Sequence, residues 1–224
     1  MKLVTISDTH NQHDKICAPS GDVIIHAGDA TGMGRENELR EFIEWYSKQD
    51  SEHKIYVPGN HDIGLEDHYD ERSKWFTDAG IIILNDESVV LNGVSGDDFE
   101  EYEIKIHGSP ITPMFFNWAF MKTRGEPIMK HWAMIPDDTD ILVTHGPPKG
   151  ILDLVETRGS MNNGQNVGCE MLLERVKQVN PKLHIFGHIH EGAGTIKIGD
   201  TEFINASQLD ERYRLAHTPI VRKL

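Results

Sequence analysis

Short β-branched and aliphatic runs alternate along the chain with longer stretches whose apolar residues recur at helical spacing. Runs at residues 2–7, 23–27, 54–57, 81–84, 141–144 and 183–186 are apolar enough to predict buried strands. Between them, residues 37–48 place Leu39, Phe42, Ile43 and Tyr46 on one helical face. Residues 167–179 do the same with Met171, Leu172, Val176 and Val179, with Asn166 as the N-cap and Glu170 in the first turn. Further runs around 87–91, 102–107, 194–198 and 202–205 predict antiparallel strands. Strand and helix alternate throughout, so the pattern predicts an α/β fold, read as a single domain over residues 1–224.

The polar positions carry the chemistry. The apolar runs end in Ser7-Asp8-Thr9-His10, Gly28-Asp29, Gly59-Asn60-His61-Asp62, Thr144-His145-Gly146 and Gly187-His188-Ile189-His190. Open α/β sheets gather ligands outside the carboxyl ends of their strands, so these segments can deliver side chains to one rim. Each alone reads equally well as a turn, a cap or a loop. Residues two apart on a strand face the same side, which would pair His188 with His190. Together and in order they predict a metal cage of Asp8, His10, Asp29, Asn60, His145, His188 and His190. Carboxylate, amide and imidazole without thiolate suit Mn²⁺, Fe, Zn²⁺, Co²⁺ or Ni²⁺. A lone catalytic zinc needs about three protein ligands, so this set predicts two divalent ions, Mn²⁺ favoured, sharing a carboxylate at about 3.5–4 Å separation.

Composition narrows the partners. The 224 residues include 22 Lys and Arg against 36 Asp and Glu, a formal charge of -14 that repels duplex nucleic acid. Two bound divalent ions would reverse that field locally, which leaves a small phosphate ligand open. No apolar run reaches the roughly 20 residues of a membrane span, and residues 1–6 read as a first strand rather than a leader core. The expectation is a cytoplasmic protein, a monomer or homodimer, without a membrane partner. Cys17 and Cys169 form neither a disulfide framework nor a thiolate zinc site. The glycine-rich stretch 28–34 matches neither phosphate-loop spacing, and no serine or cysteine sits in a nucleophile motif. His26 reads as a core or supporting residue, His107 and His184 as structural, and His13, His53, His68, His131 and His217 as surface. Lys149 and Arg158 read as solvated charges, and the aromatic run Phe115 to Phe120 either packs or forms a wall for a nucleobase.

The series D-x-H, G-D, G-N-H-D, T-H-G and G-H-x-H, from Asp8 to His190, resembles the calcineurin-like metallophosphoesterase superfamily. The resemblance implies a four-layer α-β-β-α sandwich of two mixed sheets flanked by helices. It implies that Asp8, His10 and His190 hold one ion, that Asn60, His145 and His188 hold the other, and that Asp29 bridges them. It also gives the leaving group to His61, with Asp62 orienting its ring, and the attack to a hydroxide shared by the ions. A narrower likeness, to the metallophosphoesterase-domain-containing branch, rests on His107-Gly108-Ser109-Pro110, the aromatic run, Thr144-His145-Gly146-Pro147-Pro148-Lys149-Gly150 and Phe186 to Gly192. That branch implies a phosphodiesterase acting on small diesters and cyclic nucleotides; we slightly favour 2′,3′-cyclic ones, with Asn60, His61, Gly146, Phe115 and Phe116 as the candidates to meet the substrate. Gly32 stands where purple acid phosphatases place a tyrosine, and Asp62 where protein phosphatases place a glutamate. Phosphomonoesterase, protein phosphatase and a low-turnover nucleotide-binding scaffold remain the alternatives.

Overall fold

The central strands are apolar on both faces, and the chain buries both by stacking two sheets with helices outside them. The structure is a computed structural model that describes residues 1–94, 101–157 and 159–224; Arg158 lies outside the described residues. The first half runs β1 (Lys2–Ile6), β2 (Gly21–His26), α1 (Glu36–Ser47), β3 (Ser51–Tyr56), α2 (Ile63–Asp67), α3 (Tyr69–Asp78) and β4 (Ile81–Ile83). It continues with β5 (Glu87–Val94), β6 (Glu101–Ser109), β7 (Thr112–Pro113), β8 (Met121–Lys122) and α4 (Glu126–Trp132). The last part is β9 (Ile141–Thr144), α5 (Glu170–Val179), β10 (Leu183–Phe186), β11 (Gly194–Ile198), β12 (Thr201–Asn205) and β13 (Ile220–Lys223).

One sheet has the order β13-β1-β2-β3-β4, parallel except for β13. The other has the order β11-β12-β10-β9-β6-β5, with four parallel central strands and antiparallel edges. Alternation within the strands assigns the layers. Leu3, Val23 and Ile25 meet Ile106, Val143 and Ile185 between the sheets. Val4 and Ile24 turn outward to Leu39, Phe42 and Tyr46 of α1, and Leu142 and Phe203 turn outward to Trp132, Leu172 and Val176 of α4 and α5. This is the expected four-layer α/β sandwich. Among the described residues no helix is long and apolar enough to cross a membrane.

Several local expectations are corrected. The strands at 102–107 and 202–205 are antiparallel only to their hairpin partners; β6 and β12 also pair in parallel with β9 and β10. Helix α5 starts at Glu170, because Asp153 takes the Val167 and Gly168 amides and the Asn166 side chain into a loop. His13 is buried rather than on the surface, in a short 3₁₀ turn whose ring packs on Phe42 and Trp45. Helix α3 gives little periodic signal, since Phe76 is its one buried side chain.

Two buried histidines behind the rim, His26 and His184, tie stability to pH. His26 and His184 are fully buried, bonded to Thr9 Oγ1 at 3.0 Å and Thr144 Oγ1 at 2.8 Å. Burial is the leading cause that pushes each down to about 3. Each is neutral in the folded chain and takes a proton below pH 6.5 only on unfolding, so its stability contribution is present above 6.5 and lost toward pH 3. We predict that each costs about 2 kcal/mol between pH 7 and pH 5. Urea unfolding of His184→Leu in chelator should therefore show a shallower pH dependence than the wild type; identical slopes would contradict this account.

Candidate metal centre

The segments that leave β1, β2, β3, β9 and β10 converge between the carboxyl ends of the two sheets. Getting them there requires backbone that most residues avoid. Asp8, His10, Asp29 and His188 have φ values of 54°, 40°, 55° and 69°, in the left-handed region that disfavours residues with a Cβ. Gly28, at φ 104°, lies so near His145 that a Cβ would strike the imidazole. A Cβ on Gly187 would likewise strike the Asp8 carboxylate. The Asp8 amide donates to the Gly28 carbonyl at 2.9 Å and the His10 amide to the Asp29 carbonyl at 3.1 Å, which locks the first two loops together.

The donors fall into two sets about Asp29. On one side are Asp8, His10 and His190, with His190 Nε2 at 3.5 Å from Asp8 Oδ1. On the other are His145 and His188, with Asn60 Oδ1 at 3.0 Å from His145 Nε2. Asp29 Oδ1 accepts the His61 amide at 2.7 Å, which leaves Oδ2 facing both sets. That oxygen is 3.8 Å from His10 Nε2 and 3.3 Å from His145 Nε2. His188 and His190 thus serve different sets. The strand β10 ends at Phe186, and a left-handed turn followed by a 3₁₀ turn separates the two rings, which corrects the same-side expectation.

The electrostatics fit cations at these positions. His145 Nδ1–H donates to the Ala27 carbonyl and His190 Nδ1–H to the Asp210 carbonyl, both at 2.9 Å, so each Nε2 faces inward. Burial works to lower His145 and His190, but the charges of Asp29 and Asp8 prevail and lift both to about 9. Burial lowers His10 to about 4 and His188 to about 3, leaving two neutral imidazoles. Burial opposes the charge on Asp8 and Asp29, yet the neighbouring imidazoles hold both carboxyls well below their usual range. His10 Nε2 is buried without a hydrogen-bond partner. Lone pairs of Asn60 and His145 facing each other at 3.0 Å repel unless a proton or a cation lies between them. An orphan imidazole nitrogen, two ionised carboxylates and inward-facing Nε2 atoms match the donor needs of divalent ions.

His61 and Asp62 part company. The His61 ring Nδ1–H donates to the Gly32 carbonyl at 3.0 Å. Asp62 is fully buried and accepts from Tyr56 Oη at 2.6 Å, Gly59 N at 2.7 Å, Thr31 Oγ1 at 2.8 Å and Asp29 N at 3.2 Å. Asp62 therefore ties the β2 and β3 loops together, and the ring is oriented by a backbone carbonyl, contrary to the expected pairing. Burial, then the nearby Asp29 charge, raises Asp62 above the usual carboxylate range.

Two side chains at the site, Ser207 and Tyr213, carry no motif in the sequence, whereas Trp118 falls within the aromatic run read as packing or as a wall. Ser207 donates to Asp8 Oδ2 at 2.7 Å. Trp118 sets its ring edge-on to His61 at 4.0 Å, and Tyr213 lies 4.9 Å from His10 and 5.3 Å from His190. Trp118 and Tyr213, with the exposed Phe115 and Phe116, line a cleft of about 210 Å³ over Asp29, Asn60, His61, His188 and His190. A second cavity, of about 440 Å³, opens beside His188 along Gly146, Phe115 and Lys149. Lys149 is tied to the Asn166 carbonyl at 2.5 Å and to Glu170 at 3.6 Å, as a structural cation.

Comparison with known proteins gives the family and the fold. The profile of the calcineurin-like phosphoesterase family matches residues 1–192. Metallophosphoesterase domain-containing protein 1 of Homo sapiens is 36% identical over 244 residues, covering 98% of this chain and 70% of the relative. A UPF0046 protein of Caenorhabditis elegans is 34% identical over 233 residues, covering 99% and 74%. The crystal structure of phosphopantetheinyl hydrolase from Mycobacterium tuberculosis superposes with a TM-score of 0.63 at 16% identity, covering 95% of this chain and 90% of that one. At that identity the likeness is one of fold.

The contrast between His61 and Asp62 generates a prediction. Removing a buried carboxylate that anchors several donors leaves those donors unpaired. Asp62→Ala should lower unfolding stability by about 3 kcal/mol in urea titration, whereas His61→Ala stays within about 1 kcal/mol of wild type. Equal, small losses in both variants would refute the anchoring role.

Proposed function

The chain belongs to the calcineurin-like phosphoesterase family, and from that membership we propose that it is a dinuclear phosphodiesterase acting on small diesters. The family hydrolyses phosphoester bonds and uses divalent metals, so the chain is a metallophosphoesterase. The proposal goes further, to a pair of ions and to cyclic nucleotides as substrates, 2′,3′-cyclic slightly favoured. The observation that carries it is Asp29 Oδ2, which faces His10 on one side and His145 on the other. In this reading Asp8, His10 and His190 would hold one ion, Asn60, His145 and His188 would hold the second, and Asp29 would serve both.

Bound divalent ions would supply the positive charge that activates water and neutralises phosphate oxygens. The chain's own residues do the rest. His61 holds its Nδ1–H on the Gly32 carbonyl and lines the cleft, where as an imidazolium it can give the Nε2 proton to the leaving oxygen and return to the neutral Nδ1–H ring. Trp118 packs against its ring and limits its rotation. Phe115 and Phe116 line the cleft and give one side of it an apolar wall. Asn60 is held by a backbone bond from Ala119 at 3.2 Å, which joins the aromatic loop to the donor set.

The test is hydrolysis of bis(p-nitrophenyl) phosphate by stripped protein re-supplied with Mn²⁺, Ni²⁺, Co²⁺, Zn²⁺ or Mg²⁺, followed by 2′,3′- and 3′,5′-cyclic nucleotides. The proposal predicts metal-dependent release that Asp29→Ala abolishes. His61→Ala should retain metal and lose about 10²-fold or more in rate, most for poor leaving groups. Activity and metal retained in Asp29→Ala would sink the bridging assignment, and equal losses on good and poor leaving groups would sink the acid role.

A further inference from the structure

Tyr213 comes from a part of the chain beyond the stretch that the family profile matches, residues 1–192. A short turn carries it there. Leu209 and Leu215 bridge antiparallel, and the Ala216 and His217 amides both donate to the Gln208 carbonyl at 3.1 Å. Inside the turn, the Asp210 carboxylate accepts the Arg212 and Arg214 amides at 2.9 Å and the Arg214 guanidinium. The Asp210 carbonyl takes the Tyr213 amide at 2.9 Å and also the His190 ring at 2.9 Å. One turn therefore supports a donor of the metal centre and places an aromatic ring beside it.

Tyr213 is held at φ 57°, an unfavourable setting for a bulky residue, and its carbonyl is pinned by Gln12 Nε2 at 2.9 Å. The ring sits edge-on to His10 and His190, and the side chain is still 48% exposed, inside the cleft that Trp118, Phe115 and Phe116 also line. A rigid aromatic with one side packed and the other open to a cleft is built to receive a flat apolar group. We propose that Tyr213 is a specificity-determining residue whose ring stacks on a planar aromatic portion of the phosphoester, next to the phosphorus. This rests on the phosphoester reading above and names the residue that would favour esters of aromatic or nucleobase-bearing groups.

Phenylphosphonate and methylphosphonate share the anionic anchor and differ in the ring alone, and neither is hydrolysed. Titration calorimetry with the protein as purified should show phenylphosphonate bound about tenfold more tightly, as expected for aromatic stacking. Tyr213→Ala should bring the two ligands to within about twofold by weakening phenylphosphonate alone, and Tyr213→Phe should keep the preference. The proposal is overturned if Tyr213→Ala keeps the tenfold preference, or if Tyr213→Phe loses it. It is also overturned if Tyr213→Ala weakens both ligands equally, which would mark a role in positioning His10 and His190, or if the wild type binds neither. Failure of the phosphoester reading would show instead as absent turnover in the hydrolysis assay, which this binding experiment does not use.

Discussion

A single carboxylate oxygen organises this molecule. Asp29 Oδ2 stands between His10 and His145 while Oδ1 is occupied by the His61 amide, so the residue cannot turn away from either donor set. Around it are another carboxylate, an amide oxygen and inward-facing imidazole nitrogens, with Asp8, Asn60, His145 and His190 on buried residues and His10 and His188 half-buried. Such a group of lone pairs is unfavourable by itself, because buried charge and unpaired acceptors cost more than packing returns. Protons on His145 and His190 relieve it in part, and the orphan His10 Nε2 marks what protons leave unsatisfied. Divalent cations answer the same need more completely.

The rest of the fold can be understood as the means of holding that arrangement. The two parallel cores direct their carboxyl ends to one rim, and the sandwich brings the rims together. Left-handed backbone at Asp8, His10, Asp29 and His188 stores strain that the surrounding hydrogen bonds repay. Asp62 binds the loops after β2 and β3, and Ser207 joins the end of β12 to Asp8 at the end of β1. Such a shell fixes first-contact ligands to the tolerance that metal chemistry requires.

Much of this was legible in the residues, and the pattern of what was not is physical. Buried parallel strands announce themselves by continuous apolar runs, and the runs at 141–144 and 183–186 coincide with β9 and β10. The convergence of Asp8, His10, Asp29, His145, His188 and His190 was legible because carboxylate and imidazole side chains at strand ends have few other reasons to recur in order. Orientation was not legible. His188 and His190 look like strand neighbours, yet a left-handed turn sends them to different sets. Asp62 adjoins His61 in sequence, but its burial against Tyr56 and Thr31 is a tertiary outcome. Tyr213 sits in a polar segment without periodicity, and nothing local shows that its turn folds back to His190.

The role proposed for Asp29 is to join two ions through one carboxylate oxygen. Electron paramagnetic resonance of the protein reconstituted with Mn²⁺ tests it most directly, since magnetic exchange requires a bridging ligand and two adjacent ions. The account predicts two manganese ions per chain and the spectrum of a spin-coupled pair, replaced by uncoupled signals in Asp29→Asn. A single isolated six-line Mn²⁺ signal at full loading of the wild-type protein would contradict it.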